Sequence, residues 1–330
     1  MTKLKELIIG IIKDKASQSK AALLSKPTKL FLLRVTSHDT FSPPTPKHLS
    51  TLISSADGSR ATASTFLEIL MDRLQNTNAA AVALKCLIVV HHIINHGSFI
   101  LQDQLSVYPS AGGRNYLNLS NFRRNTNPTS WELSSWVRWF AQHIEQLLCT
   151  SRVLGFFFVG NSESSSERVS GLTNSVLLTE FDSLVTLVEG ICKRPNHVYN
   201  DDDKNKNKMV DEIVNLVCED WVVIEREVCV ELSEFKERLG FLEFGEVVEL
   251  VCCLKRLEDC REKVMMNLVD SEALWDLVSD VKVKVGLEVY KDKGRVRKEG
   301  RKLRFSESHR FSARVLDSRD FLRFPSGRLL

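Results

Sequence analysis

The sequence predicts an all-α protein, built as a superhelical, solenoid-like stack of about ten antiparallel helices. Apolar residues recur at the i, i+3, i+4 and i+7 spacing of an amphipathic helix in nearly every periodic segment. The connections between these segments are short, and no convincing set of strands is present. A hydrophobic fraction of 43% over 330 residues is enough to bury a large core.

The helices can be placed in order from their apolar stripes and from proline. A second helix follows Pro27 and ends near Arg34, and Pro46 suits the first turn of a third. The stripe within residues 210–239 has heptad-like spacing, which favours a buried bundle helix over an oligomeric coiled coil. The remaining predicted helices cover residues 2–15, Ser59–Gln75, Asn78–Gly97, Ser98–Val107, Thr129–Leu148, Val176–Lys193 and Phe244–Leu268.

Capping residues mark several of these ends. Asn78 is a candidate N-cap, and Gly97 a candidate end, for an almost wholly apolar helix that we place at the centre of the core. Thr129 and Glu132 fit a capping box. A strand-like alternation with lysine, for which no partner strand is evident, occurs at Val281, Val283 and Val285.

We expect three parts along the chain: an amphipathic N-terminal helix over residues 1–18, a helical domain over 19–290, and a basic, disordered tail over 291–330. The domain carries polar loops near 160–175 and 195–208. Net charge is only +3, but the first forty residues hold eight Lys and Arg against three Asp and Glu, and the last forty hold thirteen against five. Two basic ends on an acidic body favour a surface partner, such as an anionic membrane, over a buried substrate.

The cysteine pattern and the hydropathy indicate the compartment in which we expect the protein. The eight cysteines are scattered without a C-x-x-C pair, which is typical of reduced, buried thiols in a cytosolic protein. We expect the adjacent Cys252 and Cys253 to be one flanking and one core residue. No signal peptide is evident, and the apolar runs fall short of the ~20 residues that a membrane span requires.

Histidines and glycines give no sign of catalysis. His92 and His96 share a helical face with the i, i+4 spacing, but neither they nor His91 stand in an H-E-x-x-H pattern or near further ligands. Polar packing is therefore the preferred interpretation of all three. Since a phosphate-binding glycine loop and a nucleophile elbow are also missing from the sequence, we expect no catalytic residue, no metal and no cofactor.

The turn between the second and third predicted helices is the strongest binding signal. Arg34 ends one helix, and Lys47 and His48 begin the next after a proline-rich link. Arginine offers a planar guanidinium group with two parallel donors, lysine offers a point charge, and histidine offers a ring N–H donor. The N-terminus of the helix adds positive potential. The pattern suits phosphate groups, while an ordinary solvated basic turn remains the alternative.

The first predicted helix can be interpreted in two ways. Its apolar stripe and its lysines suit a helix that lies in a lipid interface. Packing of the same stripe onto the domain core is the alternative. We prefer the lipid-facing interpretation, because the basic turn adjoins this helix. The stripe consists of Leu4, Leu7, Ile8, Ile11 and Ile12.

These residues resemble the ANTH domain of the clathrin assembly proteins, the phosphoinositide-binding adaptors, particularly the plant members. The resemblance covers roughly residues 15–270, and its motifs occur in the family's order. The matching segments are Arg34–Leu49, F-L-E-I-L-M-D-R-L, A-L-K-C-L-I-V-V-H-H-I-I-N-H-G-S-F-I and N-L-S-N-F, with a looser match from W-E-L-S-S-W-V-R onward.

The resemblance implies a lipid head-group site at Arg34, Lys47 and His48. This chain departs from the family pattern in two places: Thr45 stands where the family has a lysine, and Pro46 replaces a polar or charged residue. One missing cation costs about 1 kcal/mol of attraction to an anionic surface. We therefore expect weaker or less selective binding to phosphatidylinositol bisphosphate. Candidate supporting cations are Lys20, Lys26 and Lys29.

The resemblance also implies a non-enzymatic, peripheral membrane adaptor in clathrin-coat assembly, vesicle budding and endocytosis. Its expected places are coated pits and vesicles, on the cytoplasmic face of the plasma membrane and the Golgi. Clathrin, adaptor complexes and a vesicle SNARE are family partners, but no clathrin box, D-P-F or N-P-F motif follows residue 290. Two alternatives stay open: a protein-binding scaffold with a degenerate lipid site, and a less favoured nucleic-acid binder that acts through residues 291–330.

Overall fold

The computed structural model describes residues 2–23, 27–109, 112, 115–123, 128–157, 165–195, 207–267 and 272–286. Within these ranges the chain is helical and forms no strand, so the predicted all-α class is confirmed. The chain separates into a body over residues 1–285 and a second unit over 286–330. The predicted tail over 291–330 lies outside the described residues.

The helices follow one another over short connections, and a 3-10 turn at Leu239–Phe241 joins the tenth to the eleventh. In chain order they are α1 (Thr2–Leu23), α2 (Pro27–Val35), α3 (Pro46–Ala56), α4 (Arg60–Asn76), α5 (Ala80–His96), α6 (Phe99–Ser106), α7 (Pro128–Leu154), α8 (Ser165–Ser170), α9 (Asn174–Ile191), α10 (Lys208–Arg238), α11 (Phe244–Asp259), α12 (Arg261–Asn267) and α13 (residues 272–286).

Helix α5 lies at the centre of the N-terminal half, as its sequence predicts. It is buried almost all round, which leaves no polar face for solvent. It packs against α3, α4, α6 and α7, and α7 in turn packs against α9. Helix α9 also contacts α10 and α11, so the body is a stack in which each layer covers the apolar stripe of the previous one. The stripe of α10 is buried from Ile213 to Phe235, as expected for a bundle helix.

A single buried carboxylate ties three of these helices together. Asp220 of α10 accepts hydrogen bonds from Nε2 of His143 on α7 at 2.7 Å and from Nε2 of His91 on α5 at 2.9 Å. The side-chain amide of Asn95 donates to the same carboxylate at 3.1 Å. Burial raises the pKa of Asp220, but the charge of His91 and the hydrogen bonds from both histidines outweigh burial and hold that pKa well below its usual range.

Helices α7 and α9 approach each other closely at a glycine. A methyl group in place of the Gly190 hydrogen would overlap the side chain of Gln146 on α7. The same absence of a side chain leaves the Gly190 carbonyl open to the indole N–H of Trp139, which donates to it at 3.0 Å. A larger residue at position 190 would therefore require the Gln146 side chain to move.

Helix boundaries differ from the sequence prediction at several points. Ala79, not Asn78, is the N-cap of α5, while Gly97 ends the helix as expected. Helix α7 begins at Pro128, so Thr129 lies inside its first turn and is not the N-cap. Proline at this position is compatible with a helix start because no intrahelical N–H is needed there.

The C-terminal half contains three further corrections. Helix α8 occupies residues 165–170, inside the loop predicted near 160–175. The helix predicted over Phe244–Leu268 is interrupted at Cys260, which separates α11 from α12. The alternation at residues 281–285 belongs to α13 and not to a strand, because Val281 and Val285 are one helical turn apart and both are buried. Most of the loop predicted near 195–208 lies outside the described residues.

The thiols and the hydropathy agree with the sequence analysis in part. All eight cysteines are free, and Cys253 is buried beside the exposed Cys252, as expected. Cys149 is also exposed, so burial is not general among the thiols. In the part of the chain that the structure describes, every helix is too short or too polar to traverse a lipid bilayer.

We predict that Asp220→Asn lowers the free energy of unfolding by about 3 kcal/mol, since it leaves His91 and His143 without their buried counter-charge. Because the folded pKa of Asp220 is depressed, its contribution is complete above its unfolded pKa of about 3.9 and declines as the pH falls further. Urea unfolding followed by circular dichroism at pH 7 and pH 3 measures both effects. Asp72→Asn, at an exposed position on α4, is the control and should change stability by less than about 0.5 kcal/mol. Equal stability of the Asp220 and Asp72 variants at pH 7 would contradict this role.

Candidate functional site

The basic turn predicted from sequence joins α2 to α3. Arg34 lies in the last turn of α2, and Lys47 and His48 lie in the first turn of α3. All three side chains are exposed, and the two helices pack against each other. The structure therefore places the three residues on neighbouring helix ends at one side of the body.

The N-terminus of α3 is built by Thr45 and Pro46. Thr45 is the N-cap, and its side-chain oxygen accepts the backbone N–H of His48 at 3.4 Å. Pro46 occupies the first helical position, where its missing N–H costs nothing. Thr45 therefore fixes the start of the helix through a side-chain hydrogen bond.

His48 is held against α2 by an aromatic contact. Its ring meets the ring of Phe31 edge-on, with 6.3 Å between centroids. Phe31 and Arg34 are three residues apart on α2 and so share a face of that helix. The contact thus brings His48 to the face of α2 that carries Arg34, and Lys47 precedes it in the same turn of α3.

Two cations from the core hold the turn from beneath. Arg73 of α4 donates through Nε to the Thr36 hydroxyl and through its terminal nitrogen to the Thr36 carbonyl. The buried Lys85 of α5 donates to the Ser37 hydroxyl at 2.9 Å. Burial lowers the pKa of Lys85, and the carboxylates of Asp39 and Asp14 partly oppose this shift. The turn is therefore attached to α4 and α5 by contacts that do not involve its exposed side chains.

Helix α1 contacts the same turn through the side chain of Asp14. The Asp14 carboxylate accepts the backbone N–H of His38 at 2.8 Å and the ring Nδ1 of His38 at 2.7 Å. Burial raises the pKa of Asp14, but these two hydrogen bonds and the charge of His38 bring it below its usual value. Gly10 permits the approach, because a Cβ there would lie 2.9 Å from the His38 Cβ.

The exposed cations of the turn are not neutralised by the protein. Within the described ranges, Arg34 and Lys47 form no ion pair, and the same holds for Lys29 on α2 and Lys20 at the end of α1. Lys29 and Lys20 are exposed, and Lys26 lies outside the described residues. The nearest acidic side chain of α1, Asp14, is already engaged by His38. The face therefore keeps a positive potential that can attract an anion.

Helix α1 presents isoleucines away from the body. Ile8 and Ile12 are 48% and 61% exposed, and Ile11 and Ile9 are exposed to a similar degree. The residues of α1 that face the body are small or polar, among them Gly10 and Asp14. Ile9 was not part of the predicted stripe, so the exposed apolar face is wider than the sequence indicates. Leu4 and Leu7 lie within α1, but their side chains are outside the described residues.

The histidines of α5 have structural partners. His91 binds Asp220, and the rings of His92 and His96 stack with centroids 4.4 Å apart. Burial lowers the pKa of His92 to about 4, with smaller contributions from the charges of His96 and His91. Across the residues that the structure describes, no group of three or more His, Cys, Asp or Glu side chains is arranged to hold a metal ion.

The residues that support the turn were not predicted from the sequence. Asp14, His38, Arg73 and Lys85 were not among the candidates, because their partners lie between 24 and 48 residues away along the chain. One signal was present: Lys85 is a lysine inside an otherwise apolar helix, and such a charge requires a polar partner.

Comparison with known proteins gives a family and several relatives. Residues 33–220, more than half of the chain, match the ANTH domain. Three proteins of Arabidopsis thaliana named "Putative clathrin assembly protein" are similar to this chain. One is 46% identical over 97% of this chain and 93% of its own length, a second is 35% identical over 80% of each, and a third is 29% identical over 83% and 97%.

We predict that Asp14→Ala speeds hydrogen exchange at the His38 amide by roughly 10- to 150-fold at pH 7, because a charged acceptor contributes about 1.5–3 kcal/mol. Because the pKa of Asp14 is lowered in the folded protein, the stabilisation from its hydrogen bonds with His38 is complete above the unfolded pKa of about 3.9. This stabilisation is lost as the pH falls below that value. Exchange measured by NMR or mass spectrometry, corrected for the intrinsic rate, checks both statements. Asp72→Ala is the control. Equal protection of the His38 amide from exchange in the two variants would show that Asp14 does not hold the turn.

Proposed function

The chain belongs to the ANTH domain family, and from this premise we propose that it is a non-enzymatic, peripheral membrane adaptor. The exposed α2–α3 turn binds phosphorylated lipid head groups, phosphatidylinositol bisphosphate above all, through Arg34, Lys47 and His48. The observation that supports this most directly is that Arg34 and Lys47 are exposed and unpaired in the described part of the chain, while the turn beneath them is fixed.

The chemistry of the turn fits a phosphate group. A helix N-terminus carries the positive end of the helix dipole, and α3 directs this end beside Lys47 and His48. Arginine adds a bidentate donor from α2. Because Arg73, Lys85 and Asp14 already position the turn, a ligand would meet an arranged surface and would lose little affinity to ordering.

We propose that the turn alone binds an anionic membrane with modest affinity, so stable membrane binding needs a second contact. Each Lys or Arg near an anionic surface contributes about 1 kcal/mol, and Thr45 replaces one of the family's cations. The exposed isoleucines of α1, together with Leu4 and Leu7, supply the second contact by entering the lipid interface. Stable peripheral binding generally takes two such signals, one electrostatic and one apolar.

We further propose a role in clathrin-coat assembly, on the cytoplasmic face of coated pits and vesicles at the plasma membrane and the Golgi. The relatives' names include clathrin assembly, and this motivates the assignment. Residues 291–330 contain no clathrin box, so clathrin, an adaptor complex or a vesicle SNARE would bind through another sequence. The alternative function is a protein-binding scaffold whose lipid site is degenerate, and the replacement of the family lysine by Thr45 favours it.

We predict that Lys47→Glu plus His48→Glu reduces binding to vesicles containing phosphatidylinositol bisphosphate by tenfold or more, since the lost Lys47 charge costs about 1 kcal/mol and each new carboxylate repels phosphate. Co-sedimentation is the measurement, with phosphatidylserine vesicles of matched charge for comparison. The control is Lys208→Glu plus Lys255→Glu, at exposed lysines of α10 and α11.

Three outcomes separate the alternatives. A loss confined to the bisphosphate vesicles supports the proposed site. Wild-type protein that binds neither vesicle favours the scaffold function. Equal binding by wild type and the turn variant excludes the site, and if removal of residues 291–330 then abolishes all polyanion binding, the nucleic-acid alternative is supported instead.

We predict that Ile8→Ser plus Ile12→Ser weakens vesicle binding severalfold without changing the melting temperature, because both side chains are half exposed in the free protein. The matched control, Val248→Ser plus Val283→Ser, removes two exposed apolar side chains on α11 and α13. If the α1 variant instead melts several degrees lower and binds vesicles normally, the stripe packs on the core and does not contact lipid.

A further inference from the structure

Two cysteines meet where α9 and α11 end. Cys192 is the C-cap of α9, and Cys260 is the C-cap of α11. The Cys192 thiol donates to the Cys260 backbone carbonyl at 3.8 Å, so its sulfur lies against the Cys260 residue. We propose that Cys192 and Cys260 form a reversible disulfide when a peroxide reaches this end of the helix pair.

The register of the two helices brings these residues together. Near the start of the pair, the Asn174 amide donates to Glu246 at 3.1 Å. Near its end, Arg256 donates to both carboxylate oxygens of Glu189 at 2.9 and 3.0 Å. Helices α9 and α11 therefore run side by side in the same direction, and their last residues must coincide. Cys192 and Cys260 therefore lie at the same end of the helix pair, where the Cys192 thiol contacts the Cys260 backbone.

The environment assigns different roles to the two thiols. The hydrogen bond from Cys192 lowers the pKa of Cys260. Burial and the charges of Glu189 and Asp259 oppose this effect, and the charge of Lys263 adds to it. The same hydrogen bond, followed by burial, raises the pKa of Cys192. Of the two thiols, Cys260 is therefore the one that ionises more readily, and Cys192 is the one that keeps its proton. Because Cys260 is only 6% exposed, a small oxidant such as hydrogen peroxide suits the site.

The reaction proceeds in two balanced steps. First, the Cys260 thiolate attacks one peroxide oxygen, the O–O bond breaks, and the departing hydroxide takes up a proton to become water, which leaves a sulfenic acid on Cys260. Second, the Cys192 sulfur attacks the Cys260 sulfur and loses its proton as the S–O bond breaks and water departs. Two thiols are oxidised to one disulfide, and one peroxide is reduced to two waters.

Other thiols lack this arrangement. Burial raises the pKa of Cys86 and of Cys253 to about 12 and that of Cys229 to about 11, so these thiols stay protonated. Cys149 and Cys252 are exposed and serve as internal references for non-specific oxidation. The linkage would enclose all of α10, which lies between the two cysteines in the chain, and would restrain the opening of α9 from α11.

The test treats the reduced, full-length chain with equimolar hydrogen peroxide, blocks remaining thiols with N-ethylmaleimide, and identifies tryptic peptides by mass spectrometry. We expect the Cys192–Cys260 linked peptide as the main oxidised product and its disappearance with dithiothreitol. Cys192→Ser should instead leave a sulfenic acid on Cys260 that reacts with dimedone. The control, Cys149→Ser plus Cys252→Ser, should form the linkage at the wild-type rate.

Two results would overturn the proposal. One is wild-type protein whose Cys149 or Cys252 is oxidised while the linked peptide is absent, a measurement that needs no variant to fold. The other is equal dimedone labelling of Cys260 in wild type and Cys192→Ser, since Cys192 would then not resolve the sulfenic acid.

Discussion

Two cations, the half-buried Arg73 and the buried Lys85, hold the turn between α2 and α3 from inside the body, and the candidate site depends on this support. A charge removed from water must find partners, and here the partners are the hydroxyls and a carbonyl of the turn. The inner cations are used for structure, whereas Arg34 and Lys47 above them stay exposed. The separation into structural and exposed cations is what makes the turn suitable for an external anion.

The same support connects the turn to the core. Lys85 belongs to α5, whose position is set by burial on all sides and by the link from His91 to Asp220 of α10. Asp14 adds α1 to this assembly through His38. The membrane-facing elements that we propose, α1 and the basic turn, are therefore joined to each other and to the central helices, so they would meet a membrane surface as one arranged unit.

Local patterns were sufficient for the helices but not for the contacts between them. The stripe of α5, the proline at the start of α3 and the exposed cations Arg34 and Lys47 could be predicted because each depends on neighbours in sequence. The errors have the same origin. The valines of α13 satisfy both a strand and a helix period over five residues, and only packing decides between them. The Asp14–His38 pair and the Asp220 cluster join distant segments, and a single sequence gives no information on such pairings.

The most direct test of the account is an NMR titration of the full chain with the water-soluble head group of phosphatidylinositol bisphosphate. The account predicts saturable shifts of the backbone amides in the first turn of α3, around Lys47 and His48, with weaker binding as salt increases. The amides of α5 should barely move, because the turn is already in place. Shifts that fail to saturate, or that saturate only at sites away from α2 and α3, would contradict the central claim.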